Sequence, residues 1–356
     1  MEEGRKRVVV VGGGVAGSLT SKLLENAADV TLVDPKDYFE VPYAALRCLV
    51  EPAFSERSVM THSSYLKKAK VVISTAKIAS STQIITDDGE IVPYDFLVIC
   101  TGSSYTGPKT RPERIQEYWK ANSKVVAAQS ILIMGGGPVG VEMAGEMVTD
   151  FPDKKVTIVT ASSRLLTFLG SKASNKCLKW FKSKKVDVIF NDKVNPDSKS
   201  GSTYTTNAGM KIEADIHFWC IGKRLGNTWI EESDFFEYVR DGEGRLKVDA
   251  NLRLLNMSNV FAAGDITDIQ EIKQGYLAGK HAGVVAENIK KLIKDPTSTK
   301  LTCYEPMVKA MGIVNLGRKT AVAQLPFGTF LGCLPAMLKG KDLFVGGVRK
   351  QLGLPK

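Results

Sequence analysis

No Cys-x-x-Cys occurs among the six cysteines, Cys48, Cys100, Cys177, Cys220, Cys303 and Cys333. That absence argues against a thioredoxin-type dithiol and against a cysteine zinc knot. Several of the six sit inside apolar stretches, where free cysteine is an ordinary small hydrophobe. The three histidines, His62, His217 and His281, are too few and too dispersed for a metal cluster, so no metal is expected. No low-complexity tract interrupts the chain. No uninterrupted apolar run reaches the length of about 18 residues that spans a bilayer. Glu2 follows Met1 where an N-myristoyl signal requires glycine, and no signal-like leader precedes the first apolar stretch. A reducing, cytoplasmic setting is the expectation.

Charge is scarce over most of the chain in the net sense. Residues 290–356 carry twelve Lys/Arg against three Asp/Glu, so nearly all of the formal net charge of +10 lies in this tail. No zinc, helix-turn-helix or RNP-like pattern accompanies it, which argues against nucleic acid as the partner. The tail is also apolar. From Leu325 to Val348 it combines Leu, Phe, Met and Val with Lys339 and Lys341, and its Gly and Pro residues preclude one smooth helix. A basic, apolar, broken surface suits an anionic bilayer. Packing against the rest of the chain, or a homodimer interface, is the alternative.

What is present begins with Arg7 to Asp34, RVVVVGGGVAGSLTSKLLENAADVTLVD. Four consecutive valines suit a strand buried on both faces. The turn Gly12-Gly13-Gly14-Val15-Ala16-Gly17 is G-x-G-x-x-G and leads into a helix. Gly12 permits the tight turn, Gly14 lets backbone approach a pyrophosphate, and Gly17 lets helix and sheet close up. Asp34 ends the second strand, where a carboxylate reaches a ribose hydroxyl. A later strand, Tyr94 to Cys100, ends on Thr101-Gly102, another small pair beside which a ligand fits.

The pattern then repeats 123 residues on, as Gly135-Gly136-Gly137-Pro138-Val139-Gly140 after an apolar strand. Two complete units imply two nucleotide clamps. The second strand ends in Thr160-Ala161-Ser162-Ser163-Arg164, with no acid for a free 2'-hydroxyl. Its hydroxyls and Arg164 would instead receive a 2'-phosphate, so NADPH and NADH both remain open. Glu142 on the following helix is a candidate for the flavin–nicotinamide contact. The strand Asn259 to Ala263 delivers Gly264 and Asp265, an acid placed for a ribityl hydroxyl. After it, backbone groups of Tyr276 and Leu277 would serve a flavin pyrimidine edge, with His281 either facing the ring or simply packed.

These motifs resemble the two-dinucleotide flavoprotein reductases over essentially the whole chain. The terminal stretches GRKTAVAQLPFGTFLG and KGKDLFV narrow the likeness to the apoptosis-inducing-factor-like group that includes ferroptosis suppressor proteins. The resemblance implies an α/β fold with two Rossmann-like nucleotide-binding domains, the second inserted in the first, plus a small C-terminal segment. The expected division is an FAD domain in 1–107 and 250–295, an NAD(P)H domain in 108–249, and a tail in 296–356. By the same resemblance Gly12, Gly14, Gly17, Asp34 and Asp265 hold FAD, and Gly135, Gly137 and Gly140 hold NADPH or NADH. Lys350 matches a tail lysine near the flavin, although Arg349 stands where the group has an aromatic residue. The group moves a hydride from NAD(P)H to FAD and electrons to a quinone. Soluble acceptors of the monodehydroascorbate or ferredoxin-reductase kind, or a slow redox-sensing role, are the competing readings. Without a dithiol, electrons must leave the flavin directly.

Overall fold

The structure is a computed structural model that describes residues 4–222 and 224–356. Arg7–Val11 lies in the middle of a five-stranded parallel sheet, ordered Val260–Ala262, Phe96–Ile99, Arg7–Val11, Asp29–Asp34 and Lys70–Ile73. The valine run is there because both faces are covered. Val8 and Val10 pack with Leu24, Phe261, Val285 and Ile289, while Val9 and Val11 pack with Leu97, Ile99, Trp229 and Phe236. The helices Val15–Leu24 and Gly275–Lys294 lie side by side over the first of these faces. The antiparallel strands Ala76–Ala79, Gln83–Thr86 and Ile91–Pro93 lie over the other, the last two joined at Asp87-Asp88-Gly89 as the turn chemistry predicts.

A second parallel sheet repeats the plan, in the order Asp187–Ile189, Lys155–Val159, Ser130–Met134 and Ile216–Trp219. Pro138–Asp150 is its glycine-turn helix, starting with proline at the first helical position, where a missing N–H does no harm. The strand Val260–Ala262 returns to pair with Phe96–Ile99, so the second nucleotide unit is inserted in the first.

The boundary expected at 249 is corrected. Leu225 bridges to Ser103, and Trp229, Ile230, Phe236, Val239 and Leu246 bury their side chains in the first sheet's core. Residues 225–249 therefore belong with the first unit. The stretch Tyr65 to Ser74 reads in the sequence as a small strand, but His62–Tyr65 is a single helical turn and only Lys70–Ile73 is strand. Between the two units, the charged stretch of residues 108–128 forms the helix Arg111–Ala127, started by a reciprocal Thr110–Glu113 capping box. It buries Tyr118 against Tyr38, Cys48 and Val59 of the first unit and Val125 in the core of the second.

The tail forms an antiparallel sheet, Gly312–Asn315, Ala321–Leu325 and Gly328–Gly332, then the short helices Cys333–Lys339 and Val345–Gln351. It packs on both units: Val314, Leu316 and Val322 join the second core, and Leu343, Val345 and Leu352 join the first. Among the described residues, no helix is long and apolar enough to cross a membrane.

Candidate functional site

Each glycine turn is built by contacts that no side chain would allow. Gly12 has φ of +99°, and a Cβ there would come within 2.6 Å of the Cys100 carbonyl oxygen. A Cβ on Gly17 would meet the Gly12 oxygen at 1.8 Å, so helix and turn touch through backbone alone. Gly14 is the opposite case, with nothing within 4 Å of its missing side chain. It caps Val15–Leu24 without a side-chain partner, leaving the first N–H groups for an anion. Ala16 is buried just inside this first turn, and a Cβ on Gly264 would lie 3.6 Å from its methyl group. The second turn reproduces the arrangement. Gly135 at φ +126° abuts the Cys220 carbonyl, a Cβ on Gly140 would lie 1.9 Å from the Gly135 oxygen, and Gly137 is open. Both turns thus have the open backbone and free N–H groups that fit a dinucleotide pyrophosphate.

Asp34 stands beside the first turn, nearly fully buried. One oxygen accepts the Gly13 N–H, and the other accepts the backbone N–H and Nζ of Lys36, both at 2.8 Å. Burial pushes its carboxyl up, but His62 and Lys36 outweigh that and hold it down at about 2. Thr101 leaves a buried Oγ1 without a hydrogen-bond partner among the described residues at the end of the neighbouring strand, and Gly102 follows it at φ +48°. An open glycine, free helix N–H groups and an orphaned hydroxyl fit a bound FAD.

A second group of residues converges where the two units meet the tail. Burial and the neighbouring Asp265 raise the Tyr43 hydroxyl to about 12. Asp265 is itself raised by burial, against the lowering influence of Lys273 and Arg245. Gly275 has no room for a side chain because its Cβ would meet the Tyr43 hydroxyl oxygen at 2.5 Å. Lys339 lies 5.8 Å from the centre of the Tyr43 ring, and Phe344 meets the same ring edge-on at 5.8 Å. Lys339 Nζ also donates to Glu142, which accepts the Asn315 N–H at 2.9 Å. Acid, lysine and aromatics from separate stretches of the chain thus face one junction.

Three expectations need correction in detail. Lys350 is exposed on Val345–Gln351 and has no side-chain partner among the described residues; the tail lysine in this wall is Lys339, mostly buried. Lys339 lies on the buried face of the short helix Cys333–Lys339, with Pro335 and Ala336, whereas Val345 takes the inward face of the next helix. His281 is buried behind the loop. Its Nδ1 accepts the Gly264 N–H at 3.0 Å and its Nε2–H donates to Glu271 at 3.0 Å, so it orders the loop bearing Asp265. Arg164 is committed to the backbone, donating to the carbonyls of Leu166, Thr167 and Leu169. It organises its own loop instead of standing free for a 2'-phosphate. Tyr276 is exposed with Lys280 over its ring, while Leu277 is buried; the uncapped N-terminus of their helix leaves their backbone N–H groups free.

Sequence reasoning missed Tyr43, Lys339 and Phe344, and also Arg47, which grips the buried Glu146 through Nε at 2.7 Å and Nη2 at 2.9 Å. Nothing in the spacing of these residues relates them. The Lys339-Gly340 break in the tail was the only signal available.

Two nucleotide cradles, one inserted in the other and joined at a buried acid–lysine–tyrosine junction, define an FAD-dependent, NAD(P)H-linked oxidoreductase. Residues 6–282 match the pyridine nucleotide-disulphide oxidoreductase family, and the chain belongs to it. It is 31% identical to apoptosis-inducing factor homolog B of Dictyostelium discoideum, covering all of this chain and 99% of that one. Ferroptosis suppressor protein 1 of Taeniopygia guttata is also 31% identical, over 99% of this chain and 97% of that protein. In fold, the chain resembles the sulfide:quinone oxidoreductase of Aquifex aeolicus (TM-score 0.78, 19% identity, 97% and 92% of the two chains). It likewise resembles NDH2 of Plasmodium falciparum in complex with NADH (TM-score 0.77, 14% identity, 98% and 97%). The six cysteines are free and dispersed, so the family's name does not extend to a disulphide in this chain.

Proposed function

We propose that this oxidoreductase passes electrons from NAD(P)H, through FAD, directly to a quinone-type acceptor. The flavin, when bound, supplies the hydride and electron chemistry between the two substrates. The chain's own work is to hold two nucleotides in line and to shape the acceptor's approach. Glu142 orients Lys339, and Lys339 with Tyr43 presents polar hydrogens at the junction, suited to the carbonyl oxygens of a quinone.

The observation that carries the reading is the tail's exposed apolar face. Phe327, Leu334, Met337 and Leu338 are each at least 60% exposed, immediately before Lys339 in the chain. Phe344, partly exposed, continues that face to the Tyr43 ring. A face of this kind suits a lipophilic acceptor and peripheral contact with an anionic bilayer, with Lys341 and Lys350 as exposed cations of the same tail. The packed part of the tail serves the two cores, as the alternative reading required.

The test is steady-state oxidation of NADPH and NADH by the purified yellow protein. Short-chain ubiquinone, menadione, ferricyanide and monodehydroascorbate are compared as acceptors. Quinone-dependent turnover well above the oxygen-only rate supports the proposal. Quinone inactivity beside a fast soluble acceptor overturns it. Equal binding of wild type and a Lys341/Lys350-neutralised form to anionic liposomes removes the membrane part alone.

A further inference from the structure

His62 has no place in the chemistry described so far, yet it is fully buried against the first glycine turn. Its Nδ1 lies 2.7 Å from the Tyr65 hydroxyl oxygen. Tyr65 donates to Ser18 Oγ at 2.8 Å, and Ser18 Oγ donates to the Gly13 carbonyl at 2.9 Å. The Tyr65 proton is thereby spent on Ser18, so Nδ1 must be the donor to Tyr65. On its other side, the His62 Nε2 has no hydrogen-bond partner among the described residues and stands 3.9 Å from Asp34 Oδ1. Asp34 accepts the Gly13 N–H. The chain of contacts therefore closes on itself, beginning at the carbonyl of Gly13 and returning to its N–H. The ring also fills the space beside Gly13, where a Cβ would meet His62 Cε1 at 2.5 Å.

We infer that His62 is a positioning residue of the FAD site, holding the Gly13 peptide and Asp34 in the orientation that retains the flavin's adenosine half. It does so through Tyr65 and Ser18 on one side, and on the other by filling the space between the Gly13 peptide and the carboxylate. Nε2 is sealed from solvent, so His62 acts through Gly13 and Asp34 and makes no contact of its own with the nucleotide. The second cradle lacks this device. There the corresponding Gly136 is backed by Thr160 and Leu165, with its carbonyl held by the Leu166 N–H at 2.9 Å.

The experiment follows FAD release from the holoenzyme by the rise in free-flavin fluorescence, comparing wild type with His62→Phe, His62→Gln and Tyr65→Phe. Losing a hydrogen bond that orients a charged group predicts release about tenfold faster or more in His62→Phe and Tyr65→Phe. His62→Gln, whose amide donates in place of Nδ1, recovers most of the difference. Binding of reduced nicotinamide nucleotide, read separately, stays within about twofold because the second cradle is built without His62. Flavin release at the wild-type rate in His62→Phe overturns the inference. So does equal flavin loss in all three variants, which would reduce His62 to packing. If His62→Phe does not fold, Tyr65→Phe decides alone: a wild-type release rate there has the same consequence.

Discussion

Lys339 donates its ammonium to Glu142 across 197 residues of sequence, joining the last part of the chain to the glycine-turn helix of the second nucleotide unit. The same lysine lies against Tyr43 of the first unit. One side chain thereby registers three parts of the molecule: the two nucleotide units and the tail.

Replacing Lys339 with Met should keep the protein yellow and lower acceptor-dependent kcat/KM by about tenfold or more, the scale of a lost charge-assisted hydrogen bond. Lys350→Met should lose far less. Steady-state kinetics beside the flavin absorbance checks both, and equal losses in the two variants would contradict the assignment of Lys339.

The two glycine turns should separate by mutation. Gly17→Ala forces a methyl group to within 1.8 Å of the Gly12 oxygen, and should give colourless protein without turnover. Gly140→Ala meets the Gly135 oxygen at 1.9 Å, and should retain flavin while losing its reduction by NAD(P)H. Absorbance spectra before and after anaerobic NADPH addition distinguish the outcomes.

Arg164→Ser should raise the KM for NADH and NADPH together, since the guanidinium braces a loop through backbone carbonyls. A loss confined to NADPH would instead return Arg164 to the 2'-phosphate.

Arg47 and Glu146 form a buried bidentate pair between the helix Ala45–Val50 and the helix Pro138–Asp150. Burial raises the Glu146 carboxyl, and Arg47 opposes that rise. Arg47→Met alone leaves a buried carboxylate without its partner and should destabilise by about 3–5 kcal/mol. Arg47→Met with Glu146→Leu should recover much of that loss. Thermal unfolding of the single and double variants measures the coupling.

His281 makes stability depend on acid. Burial lowers its pKa to about 4, with Glu271 opposing, while the unfolded chain titrates near the ordinary value of 6.5. Between those values the unfolded state binds more protons, so stability falls as pH drops through this window. The slope reaches about 1.4 kcal/mol per pH unit at most, and flattens below about pH 4. Asp34 acts lower, where its contribution is present above the ordinary 3.8 and is lost as pH falls through about 2. Unfolding midpoints of wild type and His281→Gln between pH 4 and 7 should differ in slope, with the variant flatter.

The sequence by itself determined both nucleotide units, because each glycine answers a local backbone demand: a positive φ, a helix lying on a turn, an opening for phosphate. It also showed that no neighbouring cysteines could carry electrons, and that the tail was basic and apolar. What only the tertiary structure decided were relationships with no local signature. The membership of residues 225–249 follows from Trp229 and Phe236 filling the first core, and apolar residues of that kind would fill either core. Likewise Lys339 and Lys350 are both tail lysines beside glycines or apolar residues. Only the faces that the two short helices bury, Pro335, Ala336 and Lys339 on one and Val345 and Gly346 on the other, place one against Glu142 and leave the other in solvent. His62 was legible as a lone histidine; its meaning lies in the closed ring of contacts around Gly13, assembled by folding from three separate stretches of chain.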